Sequence, residues 1–117
     1  MELIILLLLQ IKHWYFDFAN QTTDEIKYKG IYLDWRGITH SLKHAVATTA
    51  IFFLFANLEI AIILGLIDFL IHYHVDWIKM KWGTKDITTP KFWNQFGLDQ
   101  LAHQITYLML VLLLTSY

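Results

Sequence analysis

Histidine and aspartate recur four residues apart within otherwise apolar stretches of this sequence. Residues four apart on a helix project from the same face, so each pair would form a polar stripe. Histidine nitrogens and carboxylate oxygens are ligands for divalent Zn, Fe or Mn ions. The pattern predicts a centre that holds one or two such ions, with these candidate ligands: His13, Asp17, His40, His44, His72, Asp76, Asp99 and His103.

The residues that are absent narrow the chemistry further. The 117 residues include no cysteine, which excludes disulfides, thiol catalysis and zinc–thiolate sites. Lysine and arginine number 9 and aspartate and glutamate 10, which gives a net charge of −1. This balanced charge, without a basic patch, argues against nucleic acid as a partner.

The elements that must position these side chains are long and apolar. Hydrophobic residues make up 56% of the chain and charged residues 16%, against roughly 25% charged in a typical soluble domain. The mean hydropathy is +0.43. We therefore predict an all-α protein, a single domain over residues 1–117 that forms a four-helix transmembrane bundle with up-down topology. The spans are expected at about 2–19, 37–56, 58–78 and 90–116.

The connections between the spans indicate their directions. A short turn at Asn57 makes the second and third spans antiparallel neighbours, and Thr89–Pro90 is typical of an N-cap followed by a first helical position. The polar loop 20–36 is expected to carry a short interfacial segment around 28–35. All 9 basic residues lie toward the side of the 20–36 and 81–89 loops. The positive-inside rule places that side in the cytoplasm and both termini outside, as in a multi-pass protein of the bacterial inner membrane.

The candidate ligands fall at one depth. They lie at the ends of the first and third spans and at the starts of the second and fourth, so all are expected in the cytoplasmic half of the membrane. Ionisable groups are costly in lipid unless they are paired or bind metal. A shared metal centre explains the arrangement, and a carboxylate that is not a ligand, Asp17 or Asp99, would be a general base. Interhelical hydrogen bonds and ion pairs are the alternative explanation.

Other polar residues lie beside these stripes. Lys79 continues the stripe of His72 and Asp76, where it would hold a phosphate or carboxylate substrate or else extend to the interface. Asp68, one turn deeper, is expected to orient His72. His74 is expected on the opposite side of its helix, away from the centre.

The four stripes together resemble a family of small bacterial and phage integral membrane proteins that is defined only as a domain of unknown function. The resemblance covers nearly the whole chain and supplies no activity. It is carried by His-x-x-x-Asp-Phe-x-x-Gln, His-x-x-x-His, His-x-x-x-Asp-x-x-Lys and Asp-Gln-x-x-His, which here are His13, Asp17, Phe18 and Gln21, then His40 and His44, then His72, Asp76 and Lys79, then Asp99, Gln100 and His103.

Two short segments are similar to the membrane-bound metal-dependent hydrolases. These are the Arg-Gly-x-Thr-His-Ser segment, here 36–41, and the His-x-x-x-Asp segment of His72 and Asp76. This similarity implies hydrolysis, with membrane lipid or another amphiphile as the substrate at the cytoplasmic face. A small metal transporter and a structural or regulatory phage or bacterial membrane protein are the alternatives. The sequence leaves open whether the chain forms a homo-oligomer.

Overall fold

The computed structural model describes residues 1–116, and this part of the chain is all-α, without a β-strand. The predicted domain over 1–117 also includes Tyr117, which lies outside the described residues. Four of the helices pack side by side, and the second is a short helix in the first long connection. The helices are α1 (Glu2–Trp14), α2 (Thr23–Tyr28), α3 (Trp35–Phe53), α4 (Leu58–Trp82) and α5 (Pro90–Thr115).

Side-chain caps explain where four of these helices begin. Asn57 precedes α4, and its side chain accepts a hydrogen bond from the Ile60 N–H at 2.9 Å. Thr89 precedes Pro90, the first residue of α5, as the sequence predicts. Thr22 and Glu25 form a reciprocal capping box at α2, with hydrogen bonds of 3.1 and 3.2 Å. Such caps satisfy N–H groups that have no partner within the helix.

The first predicted span, 2–19, is not one regular α-helix. The backbone changes after Trp14 to a π-helical turn over Tyr15–Ala19, which we call the π turn. The Asn20 N–H donates to the Tyr15 carbonyl at 2.7 Å, one residue further back than in an α-helix. Single π-helical turns of this kind are frequent at functional sites.

The other helices depart from the predicted spans at their ends. Helix α3 begins at Trp35 and not at 37, because the Asp34 side chain caps it by accepting from the Arg36 N–H at 3.0 Å. It ends at Phe53, before the predicted 56. Helix α4 continues to Trp82, past the predicted 78, and ends where Gly83 adopts an extended conformation.

The connection 20–36 is more ordered than a polar loop. Its helix, α2, precedes the segment 28–35 where an interfacial element was expected. The chain then turns through Leu33, which has a left-handed backbone conformation with φ of 64°. This conformation is uncommon for a residue with a side chain. The Leu33 N–H donates to the Tyr73 hydroxyl at 2.7 Å, which holds the turn against α4.

Helices α3 and α4 form a tight antiparallel hairpin around Gly65. A Cβ atom at Gly65 would lie 2.0 Å from Oγ1 of Thr49 and 3.0 Å from the Ala45 carbonyl oxygen. Small residues at such crossings let two helix backbones approach closely. The hairpin therefore depends on glycine at this position.

The half of the bundle next to the Asn57 turn is apolar inside and outside. Two of the described helices, α4 and α5, are long and apolar enough to cross a membrane, whereas α1 has 13 residues and α3 is more polar. Large apolar side chains such as Leu3 and Leu112 are exposed around the bundle. We use "apolar layer" for the buried cluster inside this half: Ile5, Leu9, Phe52, Ala61, Leu64, Tyr107, Leu110, Val111 and Leu114.

Candidate metal centre

The other half of the bundle has a polar interior. Every one of the eight candidate ligands is buried, and histidine side chains from α1, α3, α4 and α5 face one another. The rings of His44 and His72 are stacked with their centroids 3.8 Å apart, and those of His72 and His103 are 4.3 Å apart. We call this cluster the polar layer: His13, Asp17, His40, His44, Asp68, His72, Asp76, Asp99 and His103.

Four of these residues form a first group with the geometry of a metal site. Oδ1 of Asp17 lies 2.9 Å from Nε2 of His40, 2.7 Å from Nε2 of His44 and 3.6 Å from Nε2 of His72. All four ligand atoms lie within 4.8 Å of one another. Three imidazole nitrogens and one carboxylate oxygen are a donor set typical of zinc and similar divalent ions.

A second group shares His72 with the first. It consists of His72, Asp76 and His103. The two oxygens of Asp76 face different neighbours, because Oδ1 lies 3.2 Å from Nε2 of His103 and Oδ2 lies 3.1 Å from Nε2 of His72. Oδ2 is also 3.5 Å from Nε2 of His40. The Asp76 carboxylate therefore lies between the two groups.

Several buried polar atoms of this layer lack hydrogen-bond partners, which fits a metal ion. Nδ1 of His72 and Oδ1 of Asp99 have none among the described residues, and neither does Oδ2 of Asp76. The last atom is close to two imidazole nitrogens and to Nζ of Lys29, at 3.3 Å, but without hydrogen-bond geometry. An unsatisfied buried polar group costs about 1–3 kcal/mol, so native proteins keep few of them. The buried groups present thus fit a divalent ion by donor type, and within the two groups Oδ2 of Asp76 adds unmet hydrogen-bonding capacity.

The π turn places Asp17 in the first group. Asp17 lies at its centre, and Gln21 donates to the Asp17 backbone carbonyl at 2.7 Å. The π turn carries the Asp17 side chain between His13 of α1 and the histidines of α3. Asp17 therefore reaches His40 and His44 on α3, while Oδ2 remains 3.5 Å from Nδ1 of His13.

His13 and Asp99 lie outside both groups. Nδ1 of His13 is 2.8 Å from the Tyr107 hydroxyl, and Nε2 is 2.8 Å from Oε1 of Gln100, so both ring nitrogens are in hydrogen bonds. Oδ1 of Asp99 is 3.5 Å from Nε2 of His103, and Oδ2 accepts from Lys79 at 3.0 Å. Each of these two residues therefore contacts a member of a group, His13 with Asp17 and Asp99 with His103, without belonging to it.

A buried ion pair lies beneath the first group, and the sequence reasoning missed it. Nζ of Lys12 lies 2.9 Å from Oδ2 of Asp68 and 3.1 Å from Nδ1 of His44. Thr48 donates to the same Asp68 oxygen at 2.6 Å. Asp68 was expected to orient His72, but its oxygens form no hydrogen bond with that ring. The sequence signal for this pair was a lysine in one apolar stretch, Lys12, and an aspartate in another, Asp68.

Two charged residues of the connection 20–36 also enter the layer. Lys29 is buried with Nζ 3.3 Å from Oδ2 of Asp76, and it donates to Gln21. Glu25 lies 3.4 Å from Nδ1 of His40. Burial raises the pKa of Glu25, but hydrogen bonds from Lys43 and the Thr22 N–H outweigh this and lower it. The capping box at Thr22 was the sequence signal for α2, which brings both residues to the site.

Two further residues were assigned positions from the sequence. His74 lies outside the polar layer, where Nδ1 donates to the Leu70 carbonyl at 2.7 Å and Nε2 accepts from the Tyr32 hydroxyl at 3.0 Å. Lys79 lies at the edge of the layer, paired with Asp99. Its side chain is 27% exposed, so it can still contact a molecule from outside.

Fold and site together define an all-α protein with buried histidine and aspartate groups that can hold a metal ion. The chain belongs to the family described as "Protein of unknown function (DUF3307)", whose model matches residues 3–117. This match confirms the resemblance to a domain family of unknown function. No curated protein and no solved structure matches the chain. The similarity to membrane-bound metal-dependent hydrolases stays a prediction.

Proposed function

We propose that this protein is a membrane-embedded, metal-dependent hydrolase that acts on a lipid or another amphiphile at the cytoplasmic face. The observation that carries the proposal is the convergence of three Nε2 atoms, from His40, His44 and His72, near Oδ1 of Asp17. The groups are buried on three different elements, so the fold has placed them together. The ion would be Zn, Fe or Mn, and the second group makes two ions feasible.

A transmembrane bundle of four helices is the setting we propose. The molecule is 43 Å long, close to the ~40–45 Å thickness of a bilayer with its headgroups. Apolar side chains are exposed on every long helix, including Leu7, Val46, Leu66 and Leu108. The exposure of these side chains to water would be unfavourable, whereas lipid tails would cover them.

Aromatic and basic residues support the proposed orientation. Trp14, Trp35, Trp82 and Trp93 are exposed at the ends of α1 and α4 and at the starts of α3 and α5, all on the side of the polar layer. Tryptophan is enriched at membrane interfaces, and basic loops remain in the cytoplasm. Lys12 and Lys29 are buried in ion pairs and contribute nothing to this rule, but Lys27, Arg36, Lys81 and Lys85 lie in or beside the loops.

The chain itself would supply substrate binding and proton transfer. A bound divalent ion supplies a polarised substrate oxygen and a water of lowered pKa. Asp17 faces three imidazoles as a ligand, whereas Asp99 is outside the groups, so Asp99 is the better placed general base. Asp99 would take a proton from water as the water oxygen bonds to the carbonyl carbon or phosphorus. The bond to the leaving oxygen then breaks, and Asp99 returns the proton to that oxygen.

The apolar layer favours an enzyme over a metal transporter. Ile5, Leu9, Phe52 and Leu110 are fully buried between the polar layer and the side of the termini. An ion crossing between these side chains would meet no histidine or carboxylate among the members of the layer, whose one side-chain polar atom is the Tyr107 hydroxyl. A bundle that is polar in one half suits chemistry at one face of the membrane.

Elemental analysis of the purified protein tests the metal. We expect one or two equivalents of Zn, Fe or Mn, and chelation should lower the thermal midpoint. An ion at 100 times its dissociation constant stabilises the folded state by about 2.7 kcal/mol. Protein without stoichiometric metal that melts identically after chelation would instead favour a layer held together by hydrogen bonds and ion pairs.

Release of product from fluorogenic lipid esters in liposomes tests hydrolysis. We expect Asp99→Asn to lower the turnover number by roughly 10²–10⁴-fold, the usual contribution of a general base, with metal content unchanged. Asp86→Asn is the matched control, because the Asp86 carboxylate is exposed and accepts from Thr88 of its own loop. Metal loss in Asp99→Asn would make Asp99 a ligand, and equal activity in both variants would contradict its role as the base.

A further inference from the structure

Two cavities meet at Lys79 on the side of the polar layer. The first, which we call the α4–α5 cleft, has a volume of about 350 Å³ and apolar walls that include Val75, Ile78, Leu98 and Ala102. Lys79 and Asp99 are the charged residues of its lining. The two helices that form it are those long and apolar enough to cross a membrane. In the proposed membrane setting, the cleft between these two helices would be accessible to lipid tails.

The second cavity, which we call the loop-side cavity, shares Lys79 with the first. Its volume is about 310 Å³, and it is bounded by Ile26 of α2 and by Met80, Phe92 and Phe96. Its polar lining includes two basic side chains, Lys79 and Lys85, and no acidic residue. An anion is the ligand that this charge distribution favours.

The linings of the two cavities complement each other. Lys79 and Gln95 line both, so one molecule that passes Lys79 would occupy both. Gln95 is fixed by accepting from the Thr84 N–H at 2.8 Å. Asp99 lines the cleft and lies 3.5 Å from His103 of the second group, which connects the cleft to the candidate metal centre. An apolar α4–α5 cleft beside a loop-side cavity that carries two lysines matches an amphiphile with a negative headgroup.

We propose that the α4–α5 cleft and the loop-side cavity bind one anionic lipid. Its acyl chain lies in the cleft, and its phosphate or carboxylate contacts Lys79 and Lys85. This inference rests on the proposed membrane setting and names the substrate class of the same centre. Lys79 is paired with Asp99, whereas no carboxylate in residues 1–116 pairs with Lys85, which remains available to a headgroup.

Photo-crosslinking in phosphatidylcholine nanodiscs tests the lipid site. The probes are phosphatidic acid and phosphatidylcholine that carry the same diazirine-labelled acyl chain. We expect crosslinks to the α4 and α5 walls of the cleft and stronger labelling by the anionic probe. Lys85→Gln should lower the anionic labelling about fivefold, the effect of one basic side chain on a charged headgroup. Lys91→Gln is the matched control, since Lys91 lines neither cavity.

Three results would overturn the lipid site. Labelling away from the cleft would show that the acyl chain does not lie there. Equal labelling by both probes would show that the charge of the headgroup makes no contact with the protein. Displacement of the anionic probe by inorganic phosphate would show that the loop-side cavity binds free anions and not a lipid headgroup. Ala102→Trp should fill the cleft and reduce labelling by both probes, which tests the tail independently of the charge.

The same samples separate this inference from the proposed function. Metal content is measured in each, and Lys85→Gln should keep it, because Lys85 is outside both ligand groups. Metal without cleft labelling contradicts the lipid site alone. Cleft labelling without metal supports the lipid site and contradicts the metal-dependent activity.

Discussion

The apolar layer and the polar layer are built on the same four long helices but are organised differently. In the apolar layer, side chains such as Phe52 and Leu110 are fully buried against one another. In the polar layer, buried atoms of Asp68, His72, Asp76 and Asp99 lack hydrogen-bond partners within residues 1–116. Unsatisfied polar groups do not stabilise a fold. The comparison indicates that side-chain packing organises the apolar layer, whereas the polar layer keeps bonding capacity that fits the metal ion we propose.

The ion pair of Lys12 and Asp68 is the part of the polar layer expected to matter most for stability. Lys12→Met leaves the Asp68 carboxylate buried without its cation, which should cost roughly 3–5 kcal/mol of unfolding free energy. Denaturation in mixed micelles measures this change. The double variant Lys12→Met/Asp68→Leu should recover most of the loss, because no charge remains unpaired. A single variant as stable as the wild type would mean that Lys12 contributes nothing to folding.

Truncation in the apolar layer should weaken the fold but not the metal centre. Phe52→Ala removes a fully buried ring, a change that costs roughly 3–5 kcal/mol in a water-soluble core. In the proposed membrane setting, lipid tails are as apolar as the ring, so we expect a smaller loss, about 2 kcal/mol, from packing alone. Denaturation gives the loss, and elemental analysis should show unchanged metal in the folded protein. Loss of metal in this variant would mean that the two layers are coupled.

The boundary between the layers can be tested with a pair of glycine variants. Gly65→Ala should push α3 from α4 and cost about 1–3 kcal/mol, because the added carbon would meet Thr49 and Ala45. Gly97→Ala is the control, since nothing lies within 4 Å of a Cβ there and alanine favours a helix by about 0.5–1 kcal/mol. Thermal unfolding measures both. Equal midpoints would show that the hairpin does not depend on close contact at Gly65.

The spacing of residues in the sequence predicted those parts of the site that regular helices position. His40 and His44 on α3, and His72 and Asp76 on α4, do share faces and meet in the interior. A helix with constant geometry converts spacing into direction. The all-α fold, the turn at Asn57 and the cap at Thr89 were predictable for a similar reason, since those signals are local.

The parts that could not be predicted depend on irregular backbone or on long-range contacts. The π turn that carries Asp17 was not predicted, and although His13 and Asp17 remain 3.5 Å apart as their spacing predicts, only Asp17 joins His40 and His44 in the first group. Lys29 looked like a solvated loop charge, because nothing in its neighbourhood shows that α2 folds over the polar layer. Local sequence patterns do not show which charged residues on different helices will form a pair.

Metal content of two histidine variants tests the central claim most directly. His72 belongs to both ligand groups, whereas His74 on the same helix bonds only Leu70 and Tyr32. We predict that His72→Ala lowers metal affinity at least about 100-fold, beyond the loss of an outer hydrogen-bond partner, and that His74→Ala retains the wild-type stoichiometry. Elemental analysis after dialysis gives both values. Equal metal retention in the two variants would contradict a metal centre built around His72.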